Sequence, residues 1–351
     1  MMENPVSKSE KPPWARCRRW LCLLMLFLMV GIFFTVYNSS IELSWDFTFF
    51  MSRQSFNNMT AAIGPISAVD DSASQYFVAY PHEYRFIIDE PNRCRQERPF
   101  LILMVPVAPQ NIEAREVIRN TWGKDTTVMG KVVSHYFLLG LSAEGQKTEE
   151  EQVLKESQRH HDILQSNFLD SYNNLTIKTM VMFEWLVSHC PNTYFAMKID
   201  SDMFLNVPNL VDMVLKAPTH LYMTGMLTWH APVLRDPSSK WFLPVSAFPE
   251  STYPTYAMGL GYAFSLDLAK KILEASLHVR AVYIEDVYVG LCMRYLGIRL
   301  TDPPHGGLFR TTIPLVKGSC YWTSVITTIL RDSNQLKDVW QTYKSEAQSG
   351  C

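Results

Sequence analysis

The chain has 351 residues, of which 47% are hydrophobic and 13% aromatic, which is enough to bury a large core and too apolar for a disordered protein. Its 32 basic and 34 acidic residues leave a net charge of -2, so no excess of positive charge favours nucleic acid as a partner.

The N-terminal segment predicts a membrane anchor. Five basic residues precede an uncharged apolar run over residues 20–37, which is near the lower length limit for a membrane-spanning helix and is oriented with its N-terminus in the cytosol. A cleaved secretory signal is the alternative, although no small-residue cleavage pattern follows the run. The sequence therefore predicts a cytosolic tail over residues 1–19, a transmembrane signal anchor over 20–37, and a type II topology.

Glycosylation sequences and cysteines agree with a lumenal location for the rest of the chain. Asn38, Asn58 and Asn174 each begin an N-x-S/T triplet. Outside the anchor and its flank there are five cysteines: Cys94, Cys190, Cys292, Cys320 and Cys351. An odd number allows at most two internal disulfides and leaves one thiol. Five free cysteines are the less favoured alternative in an oxidising lumen.

The next segment, residues 38–93, shows no sustained hydrophobic period and is typical of a stem. The pattern changes at Pro99, where FLILMVPVA predicts a strand buried on both faces. The sequence therefore predicts a folded domain over residues 94–351.

Strands and helices are predicted to alternate through this domain. After the first strand, NIEAREVIRNTWG predicts a helix that ends near Gly123. The following segments are predicted, in order, as strand, exposed helix, buried helix and strand: HYFLLG, TEEEQVLKESQRHHDILQSNF, LTIKTMVMFEWLVSHC and YFAMKID. PNLVDMVLKA and SLDLAKKILEASL predict two more helices, separated by an irregular region over residues 229–256. This order predicts an α/β fold with a mostly parallel, doubly wound sheet, in which ligands bind at the carboxyl ends of strands.

Asp200 and Asp202 lie at such an end, in the stretch KIDSDMFLN. Two neighbouring carboxylates repel each other, and they are suited to hold Mg²⁺ or Mn²⁺ together with substrate phosphates. A solvated turn is the alternative interpretation. An EF-hand is excluded, because its glycine position is Leu205 and its last ligand position is Val211.

A second acidic pair, Glu285 and Asp286, lies in the apolar stretch VYIEDVYVG. Either carboxylate is a candidate general base. The alternative is a helix start, because acidic residues are favoured in a first turn.

Several motifs resemble a known family. They are AREVIRNTWG, FLLG, DILQSNFLDSYNNLTIKT, MKIDSDMFLN, YPTYAMGLGYAFS and IEDVYVGLC, in that order from about residue 98 to 340. Together they are similar to the β-1,3-galactosyltransferases and the related β-1,3-N-acetylglucosaminyltransferases of the Golgi.

The resemblance implies a GT-A type nucleotide-diphospho-sugar transferase fold, a divalent metal, usually Mn²⁺, and inversion at the sugar carbon. It makes Asp200 and Asp202 the D-x-D motif that holds the metal and the donor. Asp286 becomes the catalytic base, with Glu285 positioning it or binding the acceptor. Lys198 is a further candidate for donor binding.

Arg115 and Arg119 are predicted to neutralise the donor diphosphate or to order the loop around it. A structural salt-bridge pair on a helix face is the alternative. Trp122 and Trp241 are predicted to pack in the protein and not to act as sugar platforms.

The sequence departs from the family pattern at two places. Ala257 and Met258 stand where the family usually has Cys-Ser, which predicts that Cys351 or another lumenal cysteine lacks its partner. Ile329 stands where the family usually has a histidine that completes the metal shell. His305 and Asp332 are the candidate substitutes.

The sequence thus predicts a Golgi enzyme that transfers galactose from UDP-galactose in β-1,3 linkage to a terminal N-acetylhexosamine of a glycoprotein or glycolipid. Alternatives are a β-1,3-N-acetylglucosaminyltransferase, a catalytically weak relative that binds sugar nucleotide or partner transferases, and a lectin-like module that needs neither UDP nor metal. The predicted partners also include a second copy of the chain, in a homodimer.

Overall fold

The computed structural model describes residues 75–142 and 147–351. The predicted tail, the anchor, most of the stem, Asn38 and Asn58 lie outside these residues. Within them, no helix has the length and apolar character that membrane crossing requires.

The folded part consists of eleven strands and nine helices within the described residues. The strands are β1 (Phe86–Ile88), β2 (Leu101–Pro106), β3 (Thr127–Val128), β4 (Lys131–Leu141), β5 (Ile163–Leu169), β6 (Phe195–Ile199), β7 (Met203–Leu205), β8 (Met223–Thr228), β9 (Tyr256–Ser265), β10 (Phe309–Arg310) and β11 (Thr327–Ile329). The helices are α1 (Arg93–Glu97), α2 (Ile112–Asn120), α3 (Lys147–His160), α4 (Leu175–His189), α5 (Val207–Leu215), α6 (Leu266–Ser276), α7 (Glu285–Tyr295), α8 (Tyr321–Ser324) and α9 (Ser333–Gln348). A 3₁₀ turn, Tyr172–Asn174, precedes α4.

The main sheet has a parallel centre and antiparallel edges. Its strand order is β1-β5-β4-β2-β6-β9-β8, with β3 paired to β4. The neighbours β5, β4, β2 and β6 are parallel to one another, whereas β9, β8 and β1 join in antiparallel pairs. The parallel centre was predicted from the alternation of strands and helices; the antiparallel edges were not.

Both faces of this sheet are covered by helices. Alternate residues of β2 point to opposite sides: Ile102 and Met104 belong to one core, and Leu101, Leu103 and Val105 to the other. Helices α4, α6 and α7 pack in the first core, and α2, α5 and α9 in the second. The prediction of a doubly wound sheet, with β2 buried on both faces, is therefore confirmed.

The strand order reverses between β2 and β6. From β2 the chain runs outward to β4 and β5, and α4 then returns it to β6 on the other side of β2. Open α/β sheets bind ligands at the carboxyl ends of the two strands that flank such a switch point. Asp200 directly follows β6 and so lies there.

One predicted element was wrong. The polar run expected to form a single helix ends as a helix at His160, and its last part, DILQSNF, forms the buried strand β5. His161 has a φ of 54°, a left-handed conformation that ends α3. Gln165 and Ser166 misled the prediction because they are polar yet buried, with side chains that donate to backbone carbonyls.

The folded domain begins before Cys94. Strand β1 lies among the residues predicted as stem and pairs with β5. Farther upstream, Phe77 forms a β-bridge with Val282, and the Tyr80 hydroxyl donates to Glu184 at 2.7 Å. These contacts tie the last part of the predicted stem to the sheet and to α4.

Two disulfides join Cys94 to Cys190 and Cys320 to Cys351. Among the cysteines of the described residues, Cys292 in α7 is the one without a disulfide partner, and it is buried. Two bridges and one thiol agree with the count predicted from the sequence. The expectation that Cys351 or another lumenal cysteine lacks a partner is met by Cys292, whereas Cys351 itself pairs with Cys320, because the chain after α9 returns beside that residue.

Candidate active site

A single lysine brings the two acidic pairs together. Lys198, near the end of β6, donates to Asp200 Oδ1 at 2.6 Å and to the carbonyl of Gly259 on β9. Its Nζ also lies 3.6 Å from Glu285 Oε2 at the start of α7. Strand β9 lies beside β6, with Tyr262 opposite Lys198. The switch point therefore holds both acidic pairs predicted from the sequence.

Lys198 is 5% exposed. Burial lowers the pKa of its ammonium group, but the carboxylates of Asp200 and Glu285 raise it by more, so the net pKa is raised and the group stays charged. Its hydrogen bonds go to protein acceptors. The contacts therefore show Lys198 as an internal bridge, while direct binding of a donor by this side chain stays a prediction.

Glu285 is 7% exposed and accepts a hydrogen bond from the Tyr262 hydroxyl at 2.7 Å. Burial raises the pKa of its carboxyl to about 7; Lys198 opposes this effect and the charge of Asp286 adds to it. This carboxyl therefore titrates near neutral pH, and it is enclosed by protein groups.

Asp286 is held in a fixed orientation by the backbone. Its Oδ2 accepts from the amide of Gly259 at 2.9 Å, and its Oδ1 accepts from the amide of Val287 at 2.9 Å. Burial raises the pKa of Asp286, and the two amides oppose that shift. Each oxygen keeps a lone pair for a further donor, so this carboxylate can accept a proton from a bound hydroxyl.

Gly259 is required by the close approach of the acidic pair to β9. A Cβ at this position would lie 2.8 Å from Glu285 Oε2 and 3.4 Å from Asp286 Oδ2. Its backbone meanwhile contacts both Lys198 and Asp286. Glycine thus allows the lysine and both carboxylates to meet at one place.

The loop that carries Asp200 and Asp202 is fixed on two sides. The Asp200 amide donates to Leu260 O at 3.1 Å, and the Asp202 carbonyl accepts from Leu330 N at 2.9 Å. The Asp200 side chain is 40% exposed, and Asp202 is exposed. The surrounding chain still removes part of the hydration of Asp202, and this effect and the Asp200 charge raise its pKa.

These two carboxylates fit a hard divalent cation that takes its other ligands from phosphate and water. In the described part of the chain, no group of three or more histidine, cysteine, aspartate or glutamate side chains is arranged to hold a metal. Asp200 and Asp202 are the two side chains of this loop that would contact such a cation.

The three positions considered for a further ligand differ in their surroundings. Ile329 lies on β11 opposite Met203, next to Asp202, and packs against the core. His305 is exposed in the loop between α7 and β10. Asp332 caps α9 by accepting from Gln335 N at 2.8 Å. The side chain nearest to the acidic loop in the backbone register is therefore apolar.

The two predicted arginines form a buried ion-pair network. Arg115 is fully buried and contacts Glu156 at 2.8 and 2.6 Å. Arg119 contacts both oxygens of Asp162 at 2.7 Å and also pairs with Glu156 at 2.8 Å. The predicted structural alternative describes these contacts, and direct donor binding by either arginine stays untested.

Arg115 also orders a loop at the switch point. Its guanidinium donates to the carbonyls of Ala108 and Pro109, at 3.1 and 3.0 Å. These residues follow β2, whose carboxyl end lies beside that of β6. This contact corresponds to the second role predicted for the arginines, the ordering of a loop near the donor.

A buried lysine that the sequence analysis missed links three strand ends. Lys178, in α4, donates to Val107 O after β2 at 2.9 Å and to Asp170 Oδ2 after β5 at 2.7 Å. Asp170 Oδ2 also accepts from the amide of Gly140 in β4 at 2.8 Å. The sequence feature that could have revealed these contacts is the position of Lys178 within the apolar run LTIKTMVMF. A lysine in such a run is buried, and a buried lysine requires a partner.

The two tryptophans have different environments. Trp122 is 2% exposed and donates to Met203 O at 3.1 Å, which supports the strand that follows Asp202. Trp241 is 46% exposed. The packing prediction was correct for Trp122 and wrong for Trp241.

Two cavities, of about 450 and 350 Å³, lie in the described part of the protein. The larger is lined by residues around Phe77 and Asn174, and the smaller lies between α2 and α9. Neither is lined by a residue of the acidic pairs, so the acidic centre is separate from both.

Comparison with known proteins agrees with the motifs. The galactosyltransferase family model matches residues 113–304, a range that contains both acidic pairs and Lys198. Human beta-1,3-galactosyltransferase 2 is 37% identical over 298 residues, covering 84% of this chain and 70% of that protein. Mouse beta-1,3-galactosyltransferase 1 is 36% identical over 274 residues, covering 77% and 82%.

Among solved structures, the apo form of the bifunctional glycosyltransferase WbbM superposes with a TM-score of 0.39 at 10% identity. The match covers 71% of this chain and 49% of that one, so this chain spans about half of its length. That likeness is too low to support an argument. The family model and the sequence relatives are sufficient: the chain belongs to the galactosyltransferase family.

Proposed function

We propose that this protein is a UDP-galactose-dependent β-1,3-galactosyltransferase that acts on a terminal N-acetylhexosamine of a glycoprotein or glycolipid. The observation that carries the proposal is the Lys198 bridge between Asp200 and Glu285 at the switch point of the sheet. The bridge places a carboxylate pair that can hold a cation and substrate phosphates beside a candidate base. The relatives of this chain are named as β-1,3-galactosyltransferases.

Asp200 and Asp202 form the donor end of the proposed site. They would hold Mn²⁺ or another divalent cation, which when bound neutralises charge on the diphosphate leaving group. The Leu260 and Leu330 contacts fix the backbone of this loop, so the chain that carries both carboxylates is in place before the donor arrives. Arg115 and Lys178 hold the neighbouring loop after β2.

Asp286 forms the acceptor end. In an inverting transfer the acceptor hydroxyl attacks the sugar carbon in a single displacement, so one base is needed to take the hydroxyl proton. Burial makes Asp286 a stronger base than an exposed aspartate, and the amides of Gly259 and Val287 aim it. Glu285 is held by Tyr262 and Lys198, and these contacts fix the first residue of α7, which Asp286 directly follows.

The proposal includes a GT-A type fold and a single-pass type II location in the Golgi membrane. The doubly wound sheet with its ligand edge at β2 and β6 supports the fold. The predicted anchor over residues 20–37 and the two disulfides support a lumenal domain, because such bridges persist in oxidising compartments.

A second candidate function is a catalytically weak relative that binds sugar nucleotide. Ile329 favours it, because this apolar residue lies next to Asp202 in the backbone register. Both acidic pairs and their supporting contacts are present, which favours the enzyme.

The test is UDP release by the purified full-length protein from UDP-galactose, UDP-N-acetylglucosamine and UDP-N-acetylgalactosamine. Each donor is assayed with and without Mn²⁺, and with glycosides that end in N-acetylglucosamine or N-acetylgalactosamine. Release from UDP-galactose that requires both Mn²⁺ and acceptor supports the proposal. A preference for UDP-N-acetylglucosamine would reassign the donor, and UDP binding without any release would favour the weak relative.

A further inference from the structure

Two large aromatic side chains are exposed beside the acidic centre. Tyr172 is 44% exposed and Trp241 is 46% exposed. Tyr172 belongs to the 3₁₀ turn after β5, and Trp241 to the irregular region before β9. Sequence reasoning gave no role to Tyr172 and assigned Trp241 to packing.

The backbone around Trp241 is anchored at the start of α7. The Tyr283 hydroxyl contacts the carbonyls of Lys240 and Phe242, at 3.0 and 2.9 Å. Tyr283 lies two residues before Glu285, so the segment that carries Trp241 is fixed to the helix that presents the acidic pair. The Phe242 ring also packs edge-on against Tyr76, with centroids 5.6 Å apart. The indole is thus exposed on a backbone fixed on both sides of it.

Lys240 joins the two rings into one surface. Its Nζ lies 4.5 Å from the centroid of the Trp241 ring and 5.3 Å from that of the Tyr172 ring. Both distances are within the range of cation–π attraction. We call Tyr172, Lys240 and Trp241 the aromatic platform.

The platform lies within electrostatic range of both acidic pairs. Burial raises the pKa of the Tyr172 hydroxyl, Trp241 beside it opposes that shift, and the charges of Asp286, Asp200 and Glu285 add to it. Burial and the Asp200 charge raise the pKa of Asp202, and the charge of Lys240 is among the effects that oppose this rise. These electrostatic effects agree with the anchoring of Lys240 and Trp241 at α7.

Exposed aromatic rings next to carboxylates match the chemistry of a sugar. A pyranose has a face of C–H bonds that packs on an aromatic ring and an edge of hydroxyls that requires polar partners. Structural packing explains Trp122, which is buried, but it does not explain two rings that remain nearly half exposed on an anchored backbone.

We propose that the aromatic platform binds the acceptor, by stacking of Tyr172 and Trp241 on the C–H face of its terminal N-acetylhexosamine, so that its hydroxyl points to Asp286. This inference rests on the proposed function. It assigns acceptor recognition to the platform and leaves donor recognition to the Asp200 side of the site.

The test compares acceptor and donor kinetics in Trp241→Ala and Tyr172→Ala. In each variant we expect the KM for methyl β-N-acetylglucosaminide or methyl β-N-acetylgalactosaminide to rise about tenfold or more, as for loss of one stacking contact of about 1.4 kcal/mol. The KM for UDP-galactose and the Mn²⁺ requirement should be unchanged. Trp241→Phe, which keeps a ring, should restore most of the acceptor affinity.

Tyr194→Ala is the matched control. Tyr194 is 55% exposed and precedes β6, at the opposite end of the strand from Asp200. It should leave both KM values at the wild-type level. An unchanged acceptor KM in Trp241→Ala and Tyr172→Ala, or an equal rise in the donor KM, would overturn the platform.

Saturation-transfer NMR of the same two glycosides, without donor, separates this inference from the proposed function. Saturation of the sugar C–H protons that is lost in Trp241→Ala supports the platform even if no donor turns over. Turnover with unaffected platform variants would overturn the platform and leave the transferase intact. Circular dichroism confirms that each variant is folded.

Discussion

Replacing Lys198 by methionine tests whether one buried cation holds the two acidic pairs together. Methionine keeps most of the side-chain volume and removes the charge. Glu285, at 7% exposure, then loses the cation that lies 3.6 Å from it. We therefore expect a loss of stability that depends on pH, because the Glu285 carboxyl is neutral when protonated and carries an unpaired buried charge when it is not.

The magnitude follows from proton linkage. Burial raises the pKa of Glu285 from 4.5 to about 7, so the unfolded chain releases this proton first. Wild-type stability consequently falls as the pH rises from 4.5 to about 7, and the fall then stops. Without Lys198 the pKa of Glu285 is higher still, so the stability of the variant continues to fall above about pH 7. From about pH 7 to about pH 8.5 the variant loses stability over about 1.5 pH units in which the wild type does not, which amounts to about 2 kcal/mol. Near pH 6 the Glu285 carboxyl is largely protonated in both folded proteins, so this difference in stability vanishes.

The assay is thermal unfolding of the full-length protein at both pH values. The gap in Tm between wild type and Lys198→Met should widen by roughly 4 °C from about pH 6 to about pH 8.5, given about 2 °C per kcal/mol for a large domain. Lys216→Met is the control, because Lys216 is 73% exposed and pairs with an exposed aspartate. A constant gap at the two pH values would refute the reasoning.

Three further changes test other parts of the account. Gly259→Ala places a Cβ 2.8 Å from Glu285 Oε2. We expect kcat to fall about 10²-fold or more, as for a 1 Å misplacement of catalytic groups. A variant with the wild-type kcat would contradict this expectation. Asp162→Asn removes the bidentate carboxylate of Arg119, which keeps its pairs with Glu156 and Glu116. Urea unfolding should show a loss of about 1.5–3 kcal/mol, the range for hydrogen bonds to a charged group. A loss below about 1 kcal/mol, as for an exposed ion pair, would contradict this expectation. Ile329→His adds an imidazole, which can bind a metal, beside the Asp202 loop. The Mn²⁺ concentration for half-maximal activity should then decrease several-fold. An unchanged concentration would exclude this position from the metal shell.

The sequence predicted what depends on local pattern. β2 was recognised because every one of its first five residues is apolar and buried. The two acidic pairs were recognised because carboxylates inside apolar runs need a reason to be there. The count of two disulfides and one thiol followed from the number of cysteines.

The sequence did not predict what depends on a distant partner. Lys198 gave no sign that Gly259 and Glu285 would share its ammonium group, since they reach it from β9 and α7. The role of Arg115 and Arg119 in α2 was ambiguous for the same reason, because their partner Glu156 lies in another helix. Strand β5 was misassigned because its buried polar residues, Gln165 and Ser166, find partners in β4 and in the residue before β1.

The central claim is that Asp286 is the base of a galactosyl transfer whose donor is held separately at Asp200 and Asp202. The most direct test is Asp286→Asn, with kcat measured for UDP-galactose and a glycoside acceptor and UDP affinity measured by calorimetry in Mn²⁺. We expect kcat to fall by about 10²- to 10⁴-fold, the range for loss of a general base, with UDP affinity unchanged. A variant that keeps wild-type kcat would contradict the account.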